Sequence, residues 1–374
     1  MGLNPDQYRL SQAEHQATFD NDIKPDLFAG AKSSARPVAV IFGGQPGAGK
    51  SAAVDFALLE LQKRGGAVQI IGDDLRAYHP KYGDLMARDD KTAAFYTDRD
   101  TGQWVEKAIA HAKEQRLNVV IEGTMRDGNK VAETMRSLRA AGYEIDARAL
   151  AVNEQLSRQG ILQRYEKQKA DRGAGRMTTA EAHQAAYTGM PTTVERIERE
   201  KLADRVTIYR RGAETIYFNE LQAGQWVNEP KARTALEVER SRPMNLQERR
   251  SYVEGFDRLA ERISRPERQA TVDEINAIKD LQLRSKRDLV AEVFRQEAPD
   301  KAVKLHPELA SAYGLVRASE LKAAGDGLNQ EQRAVVMARV RDNVAERIAA
   351  GDIPSVQIRE EKEIKSTRDL GRER

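Results

Sequence analysis

Five short apolar runs punctuate the first 211 positions: PVAVIFGG (37–44), AVQIIGDD (67–74), LNVVIEGT (117–124), IDARALAV (145–152) and RVTIYRR (205–211). Between them, positions 51–64, 92–116, 127–141 and 154–170 carry apolar residues at helical spacing. The last two open after Asp127 and Asn153, both residue types that cap helix N-termini. Strands that are apolar on both faces and alternate with helices predict an α/β domain, a parallel sheet covered on both sides. In such sheets a ligand sits beyond the carboxyl ends of the strands. Those ends carry Gly43-Gly44, Asp73-Asp74 and Glu122-Gly123-Thr124.

The pattern changes near position 228. Twenty of the 26 glycines precede it, and strand-like runs stop there. The 147 residues that follow hold 29 basic and 27 acidic side chains, a dense, nearly balanced mixture that reads as solvated helices. We therefore expect a first domain over 1–227, a linker over 228–245 around NEPKART and SRPMN, a helical extension over 246–350, and a charged tail over 351–374. Val253, Phe256, Leu259 and Ile263 recur close to one helix face, and ELASAYGLVRASELKAA (309–325) gives another such face. These faces must be buried somewhere. The tail, almost wholly polar, is expected to be unfolded. Every site residue assigned below precedes 228, so the extension is expected to be dispensable for the chemistry. Docking of a protein partner or a transfer apparatus is its expected work, with self-inhibition as the rival.

Composition narrows the setting. The absence of cysteine excludes disulfides and thiolate chemistry. The most apolar window, around 37–43, is far too short to span a bilayer, and the polar N-terminus lacks the apolar core of a secretion signal. A cytoplasmic protein is expected. With a net charge of +3 and no isolated basic block, neither nucleic acid nor a membrane is an expected partner.

The chemistry concentrates at GQPGAGKS, residues Gly44, Gln45, Pro46, Gly47, Ala48, Gly49, Lys50 and Ser51. The stretch fits G-x-x-x-x-G-K-[ST] and lies between an expected strand and an expected helix, as that motif requires. Its glycines let successive backbone N–H groups face an anion, and the helix N-terminus adds partial positive charge. Lys50 would reach the β- and γ-phosphates of a nucleotide, and the Ser51 hydroxyl would ligate Mg²⁺, which leaves kinase, GTPase and mechanical ATPase open. The bland reading, a glycine-rich turn with a solvated lysine, does not account for the flanking strand and helix.

Asp73 and Asp74 at the second strand end are candidates for the general base that takes a proton from an attacking hydroxyl; a pair capping the next turn is the competing reading. Glu122 could contact substrate, hold Mg²⁺ through water, or simply enter a helix. Arg164 lies on a helix, while Arg172 and Arg176 flank GAG, and arginines so placed can close over a transferring phosphate. His79, His111 and His183 lack metal-ligand spacing and read as structural or surface residues, and Phe95 and Trp104 read as packing residues.

Residues from about 8 to 220 resemble the zeta toxins, P-loop kinases of bacterial toxin–antitoxin systems. GGQPGAGKS, DDLRxxHPxY (73–82), VIEGT (120–124), RYE (164–166) and the arginine before MTxAEAH (177–183) carry the resemblance. It implies that Lys50 and Ser51 contact nucleotide and Mg²⁺, that Asp73 is the base, and that Glu106, Glu122, Thr124 and Arg126 bind substrate. It implies further that Arg164 and Arg176 clamp phosphate, leaving Arg172 without a role. The implied reaction is ATP-dependent phosphorylation of UDP-N-acetylglucosamine, with an antitoxin as protein partner. Two alternatives stand beside it: a related phosphotransferase acting on an antibiotic or a dinucleotide, and a nucleotide-gated binding module whose extension docks a partner.

Overall fold

The computed structural model describes residues 4–354, which fall into two compact units: residues up to 243 together with 258–271, and residues 244–257 together with those from 272 onward. Most of the expected charged tail, from 355, lies outside the described residues.

The first unit is built on a seven-stranded sheet. Its strands are β1 (Val38–Gly43), β2 (Val68–Ile71), β3 (Val119–Glu122), β4 (Glu144–Ala151), β5 (Arg205–Arg210), β6 (Thr215–Gln222) and β7 (Gln225–Trp226), in the spatial order β2-β3-β1-β4-β5-β6-β7. The five expected strands are the parallel ones, with β1 between β3 and β4. β6 and β7 add an antiparallel edge that the sequence reading did not anticipate. Phe42 of β1 and Ile71 of β2 both pair with Glu122 of β3, so the three chemically loaded strand ends finish level with one another.

Helices of ten residues or more in this unit are α1 (Ser51–Gln62), α2 (Ala93–Glu114), α3 (Gly128–Ala140), α4 (Glu154–Arg172), α5 (Ala180–Arg199) and α6 (Ala232–Ser241). Asp127 accepts from the backbone N–H groups of Asn129 and Lys130, and Asn153 from that of Gln155, so both expected caps form. Successive residues of β1 point to opposite faces of the sheet. Ala39 and Ile41 enter one core with Trp104, Met135, Leu138, Met190 and Ile197; Val38, Val40 and Phe42 enter a second with Val54, Leu61 and Leu150. β4 departs from a purely apolar strand: Arg148 is buried on it, donating to Asp146 and Glu60.

The expected linker over 228–245 contains α6. Ala232 and Leu236, spaced i and i+4, are fully buried in the first core, and the Ala232 N–H donates to Glu198 at 2.8 Å. Burial of that apolar stripe makes the segment a packed element of the sheet domain. The first unit thus extends past position 227.

The helix α7 (Leu246–Ile263) is divided between the units after Asp257. Val253, Phe256, Leu259 and Ile263 are all buried, as their spacing predicts. The second unit contains α8 (Val272–Gln296), α9 (Leu309–Gly325) and α10 (Gln330–Ala350). Phe294 and Ala291 of α8, Leu309 and Val316 of α9, and Val344 and Ile348 of α10 form its core. Asn329 and Gln332 close a reciprocal capping box at the start of α10, and Gly351 in the left-handed region ends it.

Candidate active site

The loop between β1 and α1 is shaped by Gly47 and Gly49, with φ of +78° and +86°. A side chain is excluded at Gly47 on a second count: a Cβ there would lie 2.0 Å from the Ser157 carbonyl oxygen of α4. The Ala48 N–H donates to the Gln45 carbonyl at 3.1 Å, closing the turn. Gln45 itself is fully buried, its Nε2 donating to the Val152 carbonyl at the end of β4.

Lys50 bends back over the loop and donates to the Gly44 carbonyl at 2.8 Å and the Gln45 carbonyl at 3.4 Å. Its ammonium stands 3.5 Å from Glu122 Oε1. Burial pushes the Lys50 pKa down, and the Glu122 carboxylate opposes that shift. Ser51 is the exposed first residue of α1, at the positive end of the helix dipole.

Asp73 lies in the helical turn Gly72–Leu75 that follows β2. It accepts from Arg76 Nε at 3.1 Å and forms an ion pair with Arg176 Nη1. Its side chain remains 41% exposed, so a substrate hydroxyl has access to it. Burial raises the pKa of the neighbouring Asp74, with Arg172 acting against the rise.

Arg164, on α4, donates to Thr178 Oγ1 at 2.8 Å, and the Arg176 N–H donates to Gln168 of the same helix. Both guanidinium groups are largely buried, and burial lowers both pKa values, that of Arg176 to about 10. Both Nε atoms are buried without a hydrogen-bond partner. Orphaned donors on two buried cations call for acceptors. The Asp90 carboxylate shapes this arm, accepting from Tyr165 Oη, Lys169 Nζ and the Gly175 N–H.

Arg126 approaches Asp98 at 3.6 Å, and Asp98 accepts from Arg76 at 2.7 Å. Asp73, Arg76, Asp98 and Arg126 therefore form one polar chain, and Lys50 joins Glu122. Thr124 is half-buried after β3 with no side-chain bond among the described contacts. Glu106 stands apart: it is 64% exposed on α2 and pairs with Lys130 at 3.4 Å.

Sequence reasoning passed over Arg76, Asp90 and Asp98. Arg76 is the clearest omission, because a buried arginine that also donates to the Ala94 carbonyl and to Thr97 fixes Asp73 against α2. Its signal was present in DDLR, where i and i+3 share a helix face. The histidines are structural: His183 bonds Ser157 at 2.8 Å, His79 lies 3.4 Å from Asp100, and His111 packs against Phe28. Trp104 is fully buried and donates to the His15 carbonyl.

A glycine-rich loop between β1 and α1 of a mostly parallel sheet of this order, with Arg164 of α4 and Arg176 just beyond it largely buried, defines a P-loop domain with a kinase-like fold. The family model described as Zeta toxin matches residues 25–222, and the chain belongs to that family. Toxin PezT of Streptococcus pneumoniae serotype 4 is 30% identical over 213 residues, covering 54% of this chain and 83% of its own. Toxin zeta of Streptococcus pyogenes is 30% identical over 198 residues, 53% of this chain and 68% of its own. A solved structure from the PezAT chromosomal toxin–antitoxin system of S. pneumoniae superimposes with a TM-score of 0.59 at 26% identity, covering 69% of this chain and 100% of that one.

Proposed function

We propose that this protein is an ATP-dependent phosphotransferase that acts as the toxin of a toxin–antitoxin system, phosphorylating a hydroxyl of a small metabolite, UDP-N-acetylglucosamine. The observation that carries the reading is the convergence of Lys50, Glu122, Arg164, Arg176 and Asp73 beyond the strand ends, with the two Nε donors of the clamp arginines still unpaired. A nucleotide-gated docking module would not require an acid held against the clamp at the mouth of a phosphate loop.

In the proposed reaction the acceptor oxygen bonds to the γ-phosphorus while the bond from that phosphorus to the β,γ-bridging oxygen breaks, releasing ADP. Asp73 takes the hydroxyl proton. Lys50, Arg164 and Arg176 offset the charge spread over the phosphoryl oxygens in the transition state. Asp73 must part from Arg176 for both to engage their targets. Arg76, held from α2, keeps the carboxylate in place as that pair opens. The exposed Ser51 hydroxyl at the start of α1 would hold a Mg²⁺ brought with the nucleotide, and the ion would supply further charge neutralisation. Glu122, Thr124 and Arg126 line the acceptor side, with Glu106 on the neighbouring helix contributing after its side chain leaves Lys130. An antitoxin is the expected protein partner, and the cytoplasm the expected compartment.

The test is incubation of the protein with ATP, Mg²⁺ and a panel of nucleotide sugars, dinucleotides and antibiotics, read by mass spectrometry. A gain of one phosphoryl group on UDP-N-acetylglucosamine is expected. Transfer to another panel member alone would replace the acceptor, and no transfer to any of them would overturn the phosphotransferase assignment.

A further inference from the structure

The phosphate loop of this chain is braced from beyond the segment that matches the family. The match ends at 222, and Arg240 lies on α6, eighteen positions further on. Its guanidinium is buried. Nη2 donates to Gln45 Oε1 at 2.8 Å, Nη1 donates to the Tyr187 carbonyl at 2.6 Å, and the group lies over the Tyr187 ring, 4.2 Å from its centroid. Its own backbone carbonyl accepts from Asn153 Nδ2, the cap of α4. Burial brings the arginine's pKa down to about 10, so it is charged at neutral pH.

A buried arginine held by an amide, a carbonyl and an aromatic face is costly to fold, because no carboxylate is bonded to it among the described residues and Glu237 offsets its desolvation only in part. What the arrangement supplies is orientation. The end of the Gln45 side chain carries one acceptor and one NH₂ group. An arginine can only donate, so Oε1 must face Arg240 and Nε2 must face the Val152 carbonyl. That fixes the side chain of the second loop residue at both ends. The same residue's carbonyl accepts from the Ala48 N–H and from Lys50. Holding Gln45 therefore holds the turn of the loop and the carbonyl over which Lys50 folds.

We infer that Arg240 is a positioning residue for nucleotide binding, acting through Gln45 to pre-set the phosphate loop. The inference rests on the reading of that loop as an ATP site, and it places a requirement past position 228, where the sequence alone predicts none. It differs from a purely structural role for α6, which would be served equally by any side chain that packs beside Tyr187.

The test is a double-mutant cycle on the full chain: Arg240→Met, Gln45→Ala and both together, each titrated with MgATP by calorimetry beside a thermal unfolding scan. Arg240→Met should weaken ATP binding about tenfold in the native background, the loss of a charge-assisted hydrogen bond. With Gln45→Ala in place, Arg240→Met should add less than about threefold, because the residue through which it acts is gone. Arg240→Lys, which keeps the charge and one donor, should recover part of the affinity, and it decides the cycle in place of Arg240→Met if that variant does not fold. Equal losses in both backgrounds would make Arg240 a structural residue, and unchanged affinity would remove it from the site. If the native chain does not bind MgATP, the reading of the loop falls first and this inference with it.

Discussion

The backbone of Gly160, in the middle of α4, runs against the backbone of Gly47 in the phosphate loop. A Cβ on Gly160 would lie 2.3 Å from the Gly47 carbonyl oxygen, and one on Gly47 would lie 2.8 Å from the N–H nitrogen of Ile161. The helix that carries Arg164 is thus seated directly on the loop that would hold the phosphates, and that contact sets where α4 presents Arg164.

Gly160→Ala brings two effects of opposite sign. Alanine in a helix interior gains about 1 kcal/mol over glycine. Forcing a methyl group against backbone that cannot yield costs about 1–3 kcal/mol, and relief requires α4 to move off the loop. We expect the clash to win: weaker ATP binding by calorimetry and a lower Tm. A variant with raised Tm and native affinity would show that α4 and the loop are not in fixed register.

Asp73→Asn should lower turnover by about 10²–10⁴-fold while ATP binding is retained, as for loss of a general base. The substitution also removes the charge that pairs with Arg176. ATP affinity should therefore hold or rise slightly, since the clamp no longer has to leave a carboxylate. Steady-state kinetics with separate nucleotide titration decide this. Near-native turnover would move the base to Asp74, whose pKa burial raises.

The five parallel strands and the glycine-rich loop between β1 and α1 were legible because each rests on local pattern: an apolar run, a glycine pair, a lysine beside a helix start. Three things were not legible. β6 was missed because its buried and exposed residues fit neither pattern sought: Asn219 is fully buried while Phe218 is 45% exposed. The helix at 232–241 was read as a linker because its apolar stripe is only Ala232 and Leu236 among charges. Apart from the Asp73 contact of Arg76, the partners of Arg76, Asp90 and Asp98 lie 18 to 85 residues away in the chain, which is why these residues were passed over. Tertiary partnership of that kind leaves no periodic trace in a sequence.

Arg164→Ala and Arg176→Ala should act chiefly on kcat, because their contacts strengthen as charge develops on the transferring group. Each should cost about 10²–10³-fold, by analogy with removing one donor from an oxyanion site. Arg172→Ala, at the end of α4, should change turnover little and should raise the pKa of Asp74 further, since Arg172 now lowers it. The reverse ranking in steady-state assays would assign the clamp to the wrong arginines.

Arg268 tests whether the chain after α7 also supports the clamp. It lies in the first unit and donates from Nε and Nη2 to the two carboxylate oxygens of Glu166, at 2.8 and 3.0 Å. Glu166 follows Arg164 by two residues on α4, and both partners' side chains are under 10% exposed. Breaking a buried pair leaves an uncompensated charge, at a cost of about 3–5 kcal/mol. Replacing both members by apolar groups of similar volume can be close to neutral. Arg268→Met and Glu166→Leu should each lower Tm, then, while the double variant should recover most of the loss. If the pair also sets the position of α4, the double variant should regain stability without regaining native kcat. Full recovery of both would confine Arg268 to folding, and single variants with native Tm would show that the pair contributes nothing to the stability of the domain.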